Sequence, residues 1–359
     1  MRRSSPGDSF AQALVRWQLT HGRHDLPWQT QRDPYRVWLS EIMLQQTQVV
    51  TVRDYFARFL ARFPDVAALA QAPLDDVLGL WSGLGYYSRA RNLHLCAQQV
   101  MALHGGVFPA TAALLQTLPG IGPSTAAAVA SICFGERVAI LDGNVKRVLT
   151  RYLGFEADLA SAANERRLWQ EATWLLPQDD LTNTMPRYTQ AIMDLGATVC
   201  TARKPACQMC PMLGPCQAQA LGKPEAFPVK TRKLKRTAQT LWLLWAVLPD
   251  GAVWLSQRPT PGVWAGLYCL ALFDDRDALQ AAVAAGPTGV LEDQPVIKHV
   301  LTHKDLYLHP VRVAMPQGGS PGVPGDWVHA DRWPQLGLPA PIRKLLSTNG
   351  RPSRGGVSG

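Results

Sequence analysis

Four closely spaced cysteines are the residues of this 359-residue chain whose type and spacing most clearly indicate chemistry: Cys200, Cys207, Cys210 and Cys216. Thiolates at such spacings usually surround a metal centre. Tetrahedral zinc and a four-iron cluster both take four cysteines, and the spacing alone leaves both open. A disulfide framework is not expected, because no signal peptide is recognisable and a chain of this length does not need covalent cross-links.

The composition limits the classes of protein to which the chain can belong. Its formal charge of +9 and pI near 9.3 favour a polyanionic partner, although charge does not distinguish DNA from RNA or an acidic membrane surface. The apolar content of 47% is ordinary for a globular protein. No apolar run reaches the length of a membrane span, so we expect a soluble, cytoplasmic protein that does not bind membranes.

The elements that must position the cysteines are predicted to be helices over residues 1–225. Helix starts are expected at Asp65, Pro73 and Thr111, where a capping side chain or early carboxylates precede an apolar stretch. Short helices joined by short loops indicate a compact all-α region. An apolar stripe with helical spacing lies before Pro64 and predicts an amphipathic helix packed against a core: Val52, Phe56, Phe59, Leu60 and Phe63.

The pattern changes after residue 225. Residues 226–239 are rich in Lys and Arg and predict an exposed linker. Two strand-like runs around Pro249–Gly251 predict a hairpin, and a helix at Asp275–Ala285 and further strands follow, so residues 240–346 are expected to form an α+β domain. The tail at 347–359, rich in Gly, Ser and Pro, is predicted to be disordered.

A turn with two glycines, Leu118–Thr125, joins two helical stretches. Gly120 and Gly122 leave backbone N–H groups unshielded at a helix N-terminus, where they can hold a phosphate without reading sequence. The Gly-Lys-Ser/Thr of a P-loop is missing. By itself such a turn is better explained as an ordinary interhelical connection.

Together with four further motifs, this turn resembles the helix-hairpin-helix DNA glycosylases, and specifically the adenine DNA glycosylases of the MutY type. The resemblance implies a helix-hairpin-helix at about residues 111–130, an iron–sulfur loop at 200–216 whose cysteines hold a [4Fe-4S] cluster, and a Nudix-like C-terminal domain. It covers nearly the whole chain outside the tail. The motifs are Leu26–Trp28, Trp38–Gln48, Gly83–Asn92 and Leu141–Arg147, with the cysteine loop behind them.

Catalysis in this family breaks the bond between adenine and deoxyribose, which requires an acid for the leaving base and an anion for the developing sugar cation. Glu41 has apolar neighbours, so we expect a raised pKa and a proton available for adenine N7. Asp142, near Asn144, is expected to stay ionised, and the resemblance implies that Asn144 belongs to the same catalytic group. On residue types alone, the favoured interpretation is that Ser40 caps a helix whose dipole Glu41 complements, and that Asp142 is a local turn cap.

The resemblance also implies residues that handle DNA. Gln46 and Tyr86 match side chains that wedge into the duplex, and Gln190 matches a residue that contacts the extruded base. Ser124 stands where lyase members of the superfamily place a lysine. Because a hydroxyl cannot form a Schiff base, the chain is expected to be a monofunctional glycosylase that leaves an abasic site.

In this family the C-terminal domain reads 8-oxoguanine through a Phe-Ser-His loop. The matching residues here are Leu301, Thr302 and His303, so the hydroxyl and the imidazole are retained while the phenyl ring is not. His299 and His303 are not expected to form a metal pair, because side chains four residues apart in a strand need not converge. No Glu-rich helix follows Gly266, so phosphohydrolase activity is not implied.

Three functions are compatible with these features to different degrees. The first is excision of adenine opposite 8-oxoguanine or guanine in double-stranded DNA, by a monomer associated with the bacterial nucleoid. The second is a related glycosylase for another lesion, which Ser124 and the C-terminal domain argue against. The third is a non-catalytic Fe-S DNA-binding or redox protein, which the presence of both Glu41 and Asp142 argues against.

Overall fold

The computed structural model describes residues 6–231, 236–284 and 289–349. Its contacts divide the chain into two compact units. The first unit comprises the described parts of Met1–Gln71 and Asn92–Lys233, and the second comprises those of Ala72–Arg91 and Leu234–Gly359. In the described chain no helix is both long enough and apolar enough to cross a membrane.

Helices make up the regular structure up to the cysteine loop and just beyond it, as predicted for an all-α region. They are α1 (Pro6–His21), α2 (Pro34–Leu44), α3 (Val49–Arg62), α4 (Val66–Gln71), α5 (Leu74–Trp81), α6 (Ser88–His104), α7 (Ala112–Leu115), α8 (Pro123–Phe134), α9 (Gly143–Leu153), α10 (Ala162–Trp174), α11 (Leu181–Thr198) and α12 (Gln217–Ala220). Short 3₁₀ helices lie at Cys207–Met209 and Pro224–Ala226.

Local sequence explains where several of these helices begin and end. Thr111 caps α7 by accepting a hydrogen bond from the Leu114 N–H at 3.3 Å, as expected from the sequence. Gly135 and Gly154 end α8 and α9 with φ of 71° and 61°, a left-handed conformation that glycine adopts without strain. Four residues of the predicted apolar stripe, Val52, Phe56, Phe59 and Phe63, are buried, and Leu60 is half-buried, so the stripe of α3 and its C-cap is confirmed as core.

The second unit contains a mixed sheet, which confirms the predicted change to an α+β domain. Its strands are β1 (Thr237–Val247), β2 (Val253–Gln257), β3 (Tyr268–Cys269), β4 (Ala271–Phe273), β5 (Leu291–Asp293), β6 (Ile297–Val300), β7 (Lys304–Ala314) and β8 (Asp326–Val328). Helices α13 (Arg276–Ala284) and α14 (Ala340–Asn349) and a 3₁₀ turn at Trp333–Gln335 lie between or after these strands.

The strand order is β3-β2-β1-β7-β5, with β1 and β7 parallel along their whole length. The predicted hairpin is present as the antiparallel pair β1 and β2. Alternate residues of β1 enter two apolar clusters, with Leu243 on one face and Leu244 on the other. Burial on both faces is the usual condition for a parallel strand pair in a sheet interior.

Residues 72–91 pack within the second unit, although they belong to the stretch predicted as part of the helical region. The Tyr87 hydroxyl donates to the Leu338 carbonyl at 2.9 Å, and Arg91 donates to the Ala265 carbonyl at 2.6 Å. These long-range bonds could not be foreseen from local patterns. Of the predicted linker, residues 232–235 lie outside the described residues and β1 begins at Thr237; of the predicted tail, 347–349 end α14 and 350–359 lie outside.

Candidate active site

A pocket of about 190 Å³ opens in the first unit between the segment after α1, helix α2 and helix α11. Its polar lining brings together Glu41 from α2 and Gln190 from α11, two residues predicted to act on the base. Aromatic and apolar groups complete the wall. The remaining lining residues are Gln18, His24, Trp28, Gln29, Gln31, Arg32, Val37, Ser40, Ile132, Pro186 and Arg187.

Glu41 lies in the last turn of α2, next to the pocket. The N-cap of this helix is Asp33, whose side chain accepts a hydrogen bond from the Arg36 N–H at 2.8 Å. Ser40 is fully buried and donates to the Val37 carbonyl at 2.8 Å instead of capping a helix. The alternative in which Ser40 caps the helix and Glu41 complements the positive end of its dipole is therefore wrong.

The environment of Glu41 favours the protonated carboxyl. Burial, together with the negative charge of Asp142, raises its pKa to about 7, whereas the positive charge of Arg23 acts to lower it. The C-terminal end of a helix carries partial negative charge, which disfavours an ionised carboxylate further. Glu41 can therefore hold a proton near neutral pH, which is the property a general acid needs.

Asp142 is the N-cap of α9. The alternative interpretation of Asp142 as a local cap is therefore confirmed. Its Oδ1 accepts a hydrogen bond from the Val145 N–H at 2.7 Å. Burial raises the pKa of the Asp142 carboxyl, but the N–H groups of Val145 and Asn144 and the positive charges of Arg147 and Lys146 oppose this rise. A capping role and a catalytic role are compatible, because the helix N-terminus holds the anion in place.

Asn144 contributes a side-chain contact rather than a titratable group. Its Oδ1 accepts from Arg147 at 2.8 Å, and Arg147 also donates to the carbonyls of Gly196 and Cys200. A Cβ at Gly196 would lie 2.8 Å from the Cβ of Asn144, so the close approach of α9 and α11 requires a glycine there. The first turn of α9 is thereby tied to the residue that begins the cysteine loop.

Arg23 and Asp194 belong to the site, although the sequence did not identify them. Asp194, fully buried on α11, accepts from the Arg23 N–H at 2.9 Å and from Arg23 Nε at 2.7 Å. It also accepts from Gln190 Nε2 at 2.8 Å. The available signal was a carboxylate four residues after Gln190, between the apolar residues Ile192 and Leu195 of the same helix.

The two-glycine turn joins α7 to α8 as predicted. Gly120 has φ of 74°, and a Cβ there would lie 2.7 Å from the Cβ of Asn92, so both its conformation and its packing require glycine. Gly122 is the N-cap of α8. Ser124, in the first turn of α8, accepts a hydrogen bond on Oγ from the Leu141 N–H at 3.2 Å, which places its hydroxyl beside the residue that precedes Asp142.

The four cysteines line one cavity in the first unit. Arg151 donates to Cys200 Sγ at 3.3 Å, and the Met212 N–H donates to Cys210 Sγ at 3.4 Å. Throughout residues 6–231, 236–284 and 289–349, no group of three or more His, Cys, Asp or Glu side chains is placed to hold a single metal ion.

The two predicted wedge residues share an unusual backbone. Gln46 and Tyr86 have φ of 58° and 48°, in the left-handed region that residues other than glycine rarely adopt. Such strain costs on the order of 1–3 kcal/mol and is common at functional sites. Gln46, which follows α2, belongs to the first unit, and Tyr86 belongs to the second; both side chains are exposed.

The predicted lesion-reading residues lie between β6 and β7 of the second unit. Thr302 is hydrogen-bonded through Oγ1 to the Tyr86 hydroxyl, and its carbonyl accepts from Arg236 at 3.0 Å. His303 is exposed. The ring of His299 lies 6.0 Å from that of Trp264.

Two family models match the chain. The HhH-GPD superfamily base excision DNA repair protein matches residues 39–172, and a NUDIX domain matches residues 243–348. The adenine DNA glycosylase of Buchnera aphidicola subsp. Acyrthosiphon pisum (strain APS) is 34% identical over 94% of this chain and 96% of its own length. The adenine DNA glycosylase of Homo sapiens is 42% identical over 59% of this chain and 39% of its own length.

Among solved structures, a thermostable thymine-DNA glycosylase is similar with a TM-score of 0.53 and 27% identity. It covers 60% of this chain, and 97% of its own chain is matched.

Proposed function

The chain belongs to the adenine DNA glycosylases of the HhH-GPD base excision DNA repair superfamily, and on this basis we propose that it excises adenine paired with 8-oxoguanine or guanine in double-stranded DNA. The family resemblance, the two-part fold class and the assignment as a hydrolase of N-glycosyl bonds are confirmed. None of these observations favours the alternative of a non-catalytic Fe-S DNA-binding or redox protein. We further propose that the protein acts as a monomer on the bacterial nucleoid, in the cytoplasm.

The observation that carries this proposal is the pairing of two carboxylates in different environments. Glu41, with a pKa of about 7, lines the pocket and donates a proton to N7 of the extruded adenine. Asp142, held at the start of α9, stabilises the positive charge that develops on the sugar. Asn144 holds the first turn of α9 through Arg147.

Ser124 supports a monofunctional reaction. Its hydroxyl engages the Leu141 N–H next to Asp142, where a lysine would offer an amine to the sugar carbon. A hydroxyl forms no imine, so base release leaves an abasic site without strand cleavage. Gly120 and Gly122 are proposed to hold a DNA phosphate at the N-terminus of α8. Gln46 and Tyr86 are proposed to fill the gap left by the flipped nucleotide.

We propose that Cys200, Cys207, Cys210 and Cys216 hold a [4Fe-4S] cluster. A zinc ion needs its sulfurs about 2.3 Å from one point, whereas a four-iron cluster binds each cysteine at a separate iron. All four thiols line one cavity among mainly apolar residues, which supports the cluster that the family implies. When bound, the cluster would order the loop, and metal analysis should give iron rather than zinc.

The second unit is proposed to read the base opposite adenine. Thr302 and His303 supply a hydroxyl and an imidazole, and the hydrogen bond between the Thr302 and Tyr86 hydroxyls links the reading loop to the wedge residue. A polar group that pairs with 8-oxoguanine but not with guanine contributes roughly 0.5–1.5 kcal/mol of discrimination.

Single-turnover excision from duplexes that contain A:8-oxoguanine, A:G or T:G tests the proposed function. We expect base release from the first two and none from T:G, with Glu41→Gln as the inactive control. Release of thymine would instead favour a specificity for thymine, as the name of the similar thymine-DNA glycosylase indicates for that protein. Release of neither base would contradict glycosylase activity.

A further inference from the structure

Asp194 is a buried carboxylate that the mechanism above does not use. Its side chain is fully inaccessible, so it does not touch the substrate. It accepts three hydrogen bonds, from the Arg23 N–H, from Arg23 Nε and from Gln190 Nε2. A carboxylate buried at this depth is retained only with such partners, and all three bonds come from residues in or beside the pocket.

The contact with Asp194 fixes which end of the Gln190 amide faces the base. An ionised carboxylate accepts hydrogen bonds and donates none, so the Gln190 group at 2.8 Å from it must be the NH₂. The carbonyl oxygen Oε1 is the end left for the pocket, and no residue in the described ranges donates a hydrogen bond to it. Gln190 therefore presents an acceptor to an incoming base.

Purines differ in the group that they offer at position 6. Adenine carries an amino group, which donates, whereas guanine and hypoxanthine carry a carbonyl oxygen, which accepts. An acceptor in the pocket pairs with the first and repels the second. A site whose polar group is left unpaired by the wrong substrate discriminates more strongly than an apolar site does.

We propose that Asp194 is a positioning residue that selects adenine over 6-oxopurines by holding the Gln190 amide with its oxygen towards the pocket. The inference rests on the proposed function, since it assumes that the excised base enters this pocket. Arg23 is the second partner, because its backbone N–H bonds Asp194 Oδ2 while its Nε–H shares Oδ1 with Gln190 Nε2, and together they hold the carboxylate in register with Gln190.

Asp194→Asn tests this role, because it keeps the shape and replaces one acceptor oxygen by a donor. The Arg23 backbone N–H, which bonds Oδ2, is fixed in the chain, whereas the partly exposed Arg23 side chain, whose Nε–H shares Oδ1 with Gln190 Nε2, can turn away. The single amide oxygen is therefore expected to remain on the backbone N–H. The new NH₂ then faces Gln190, whose amide turns over and presents its own NH₂ to the pocket. We expect the ratio of single-turnover excision rates for adenine and hypoxanthine, each opposite 8-oxoguanine, to fall at least about tenfold.

Thr198→Val is the matched control. Thr198 donates through Oγ1 to the Asp194 backbone carbonyl at 2.8 Å, so its loss perturbs the same turn of α11 without changing the carboxylate. The excision ratio should stay at the wild-type value. A similar fall in both variants would show that loosening the helix is sufficient and would overturn the proposal.

A double variant tests whether Asp194 acts through Gln190. In a Gln190→Met background, Asp194→Asn should change the ratio no further, because there is no amide left to orient. A further fall would assign Asp194 a different role. If Asp194→Asn does not fold, the structure of the wild-type protein with adenine-containing DNA decides: Gln190 should keep Nε2 on Asp194 with Oε1 towards the adenine amino group, and an amide rotated off Asp194 would overturn the proposal.

Failure of the proposed function and failure of the role of Asp194 give different experimental results. A wild-type protein that excises neither purine contradicts the proposed function. A wild-type protein that excises adenine, with an Asp194→Asn variant that keeps the full preference over hypoxanthine, contradicts only the role of Asp194.

Discussion

The last turn of α2 and the first turn of α9 place one carboxylate each at opposite ends of their helices. Glu41, near a C-terminus, faces the negative end of the helix dipole, whereas Asp142, at an N-terminus, accepts the Val145 N–H. Burial raises the pKa of both, but the shift of Asp142 is opposed by two N–H groups and two cations. Helix direction thus favours the protonated carboxyl of Glu41 and opposes the rise in the pKa of Asp142.

Glu41→Gln should have the largest effect on excision. The amide fills the same space but has no proton to give, so excision of adenine should fall by about 10⁴-fold, at the upper end for a general acid. Duplex affinity should stay close to that of the wild type, because little binding surface is lost. Single-turnover rates and a binding titration measure the two effects, and a wild-type rate would remove Glu41 from the acid role.

Asp142→Asn should have the second largest effect. Asparagine still caps a helix well, so α9 should form, but the anion that faces the developing sugar cation is gone. Loss of such electrostatic stabilisation typically costs about 10²–10³-fold in rate, or roughly 2.7–4 kcal/mol. An excision rate within about tenfold of the wild type would show that the anion is not needed there.

The environments of Asp142 and Glu41 were predictable from the sequence only where their partners are close in the chain. Asp142 was open to interpretation as a cap because its partner, Val145, is three residues away, and local contacts of this kind leave a pattern. The alternative with Ser40 as a helix cap was wrong, because the Asp33–Pro34 signal already starts α2 seven residues before Glu41. The raised pKa of Glu41 agreed with its apolar neighbours.

Long-range contacts explain what the sequence did not reveal. Arg23 and Asp194 meet across 171 positions of the chain, and no spacing rule connects them. Residues 72–91 were assigned with the helices because they are helical, yet their hydrogen bonds reach Ala265 and Leu338. Periodicity predicts elements and core faces, as on α3, but it carries no information on which distant segment a polar side chain will meet.

The free energy of unfolding offers a third test of the difference between Glu41 and Asp142. The pKa of Glu41 is about 7 in the folded protein against an ordinary value of 4.5 for a glutamate carboxyl, so the folded state loses stability as pH rises from 4.5 to 7. Glu41→Gln removes this penalty and should raise the free energy of unfolding above pH 7 by up to about 3 kcal/mol. Asp142→Asn should gain less, because hydrogen bonds and cations already offset its burial.

Urea unfolding at pH 5 and pH 8 measures this difference. The gain from Glu41→Gln should be larger at pH 8, where the wild-type carboxylate is ionised in both states. Equal gains at the two pH values would mean that burial does not penalise the Glu41 charge.

The pH dependence of excision gives the smallest and most diagnostic effect. We expect Glu41 to act when protonated, so the single-turnover rate constant should fall about tenfold per pH unit above pH 7. At acid pH the rate constant should fall again, where Asp142, whose pKa burial raises, becomes protonated. The negative charge of Asp142 helps to raise the pKa of Glu41, so in Asp142→Asn the remaining activity should begin to fall at a lower pH. If the two profiles fall at the same pH, the carboxylates do not sense each other and the contrast between the helix ends rests on burial alone.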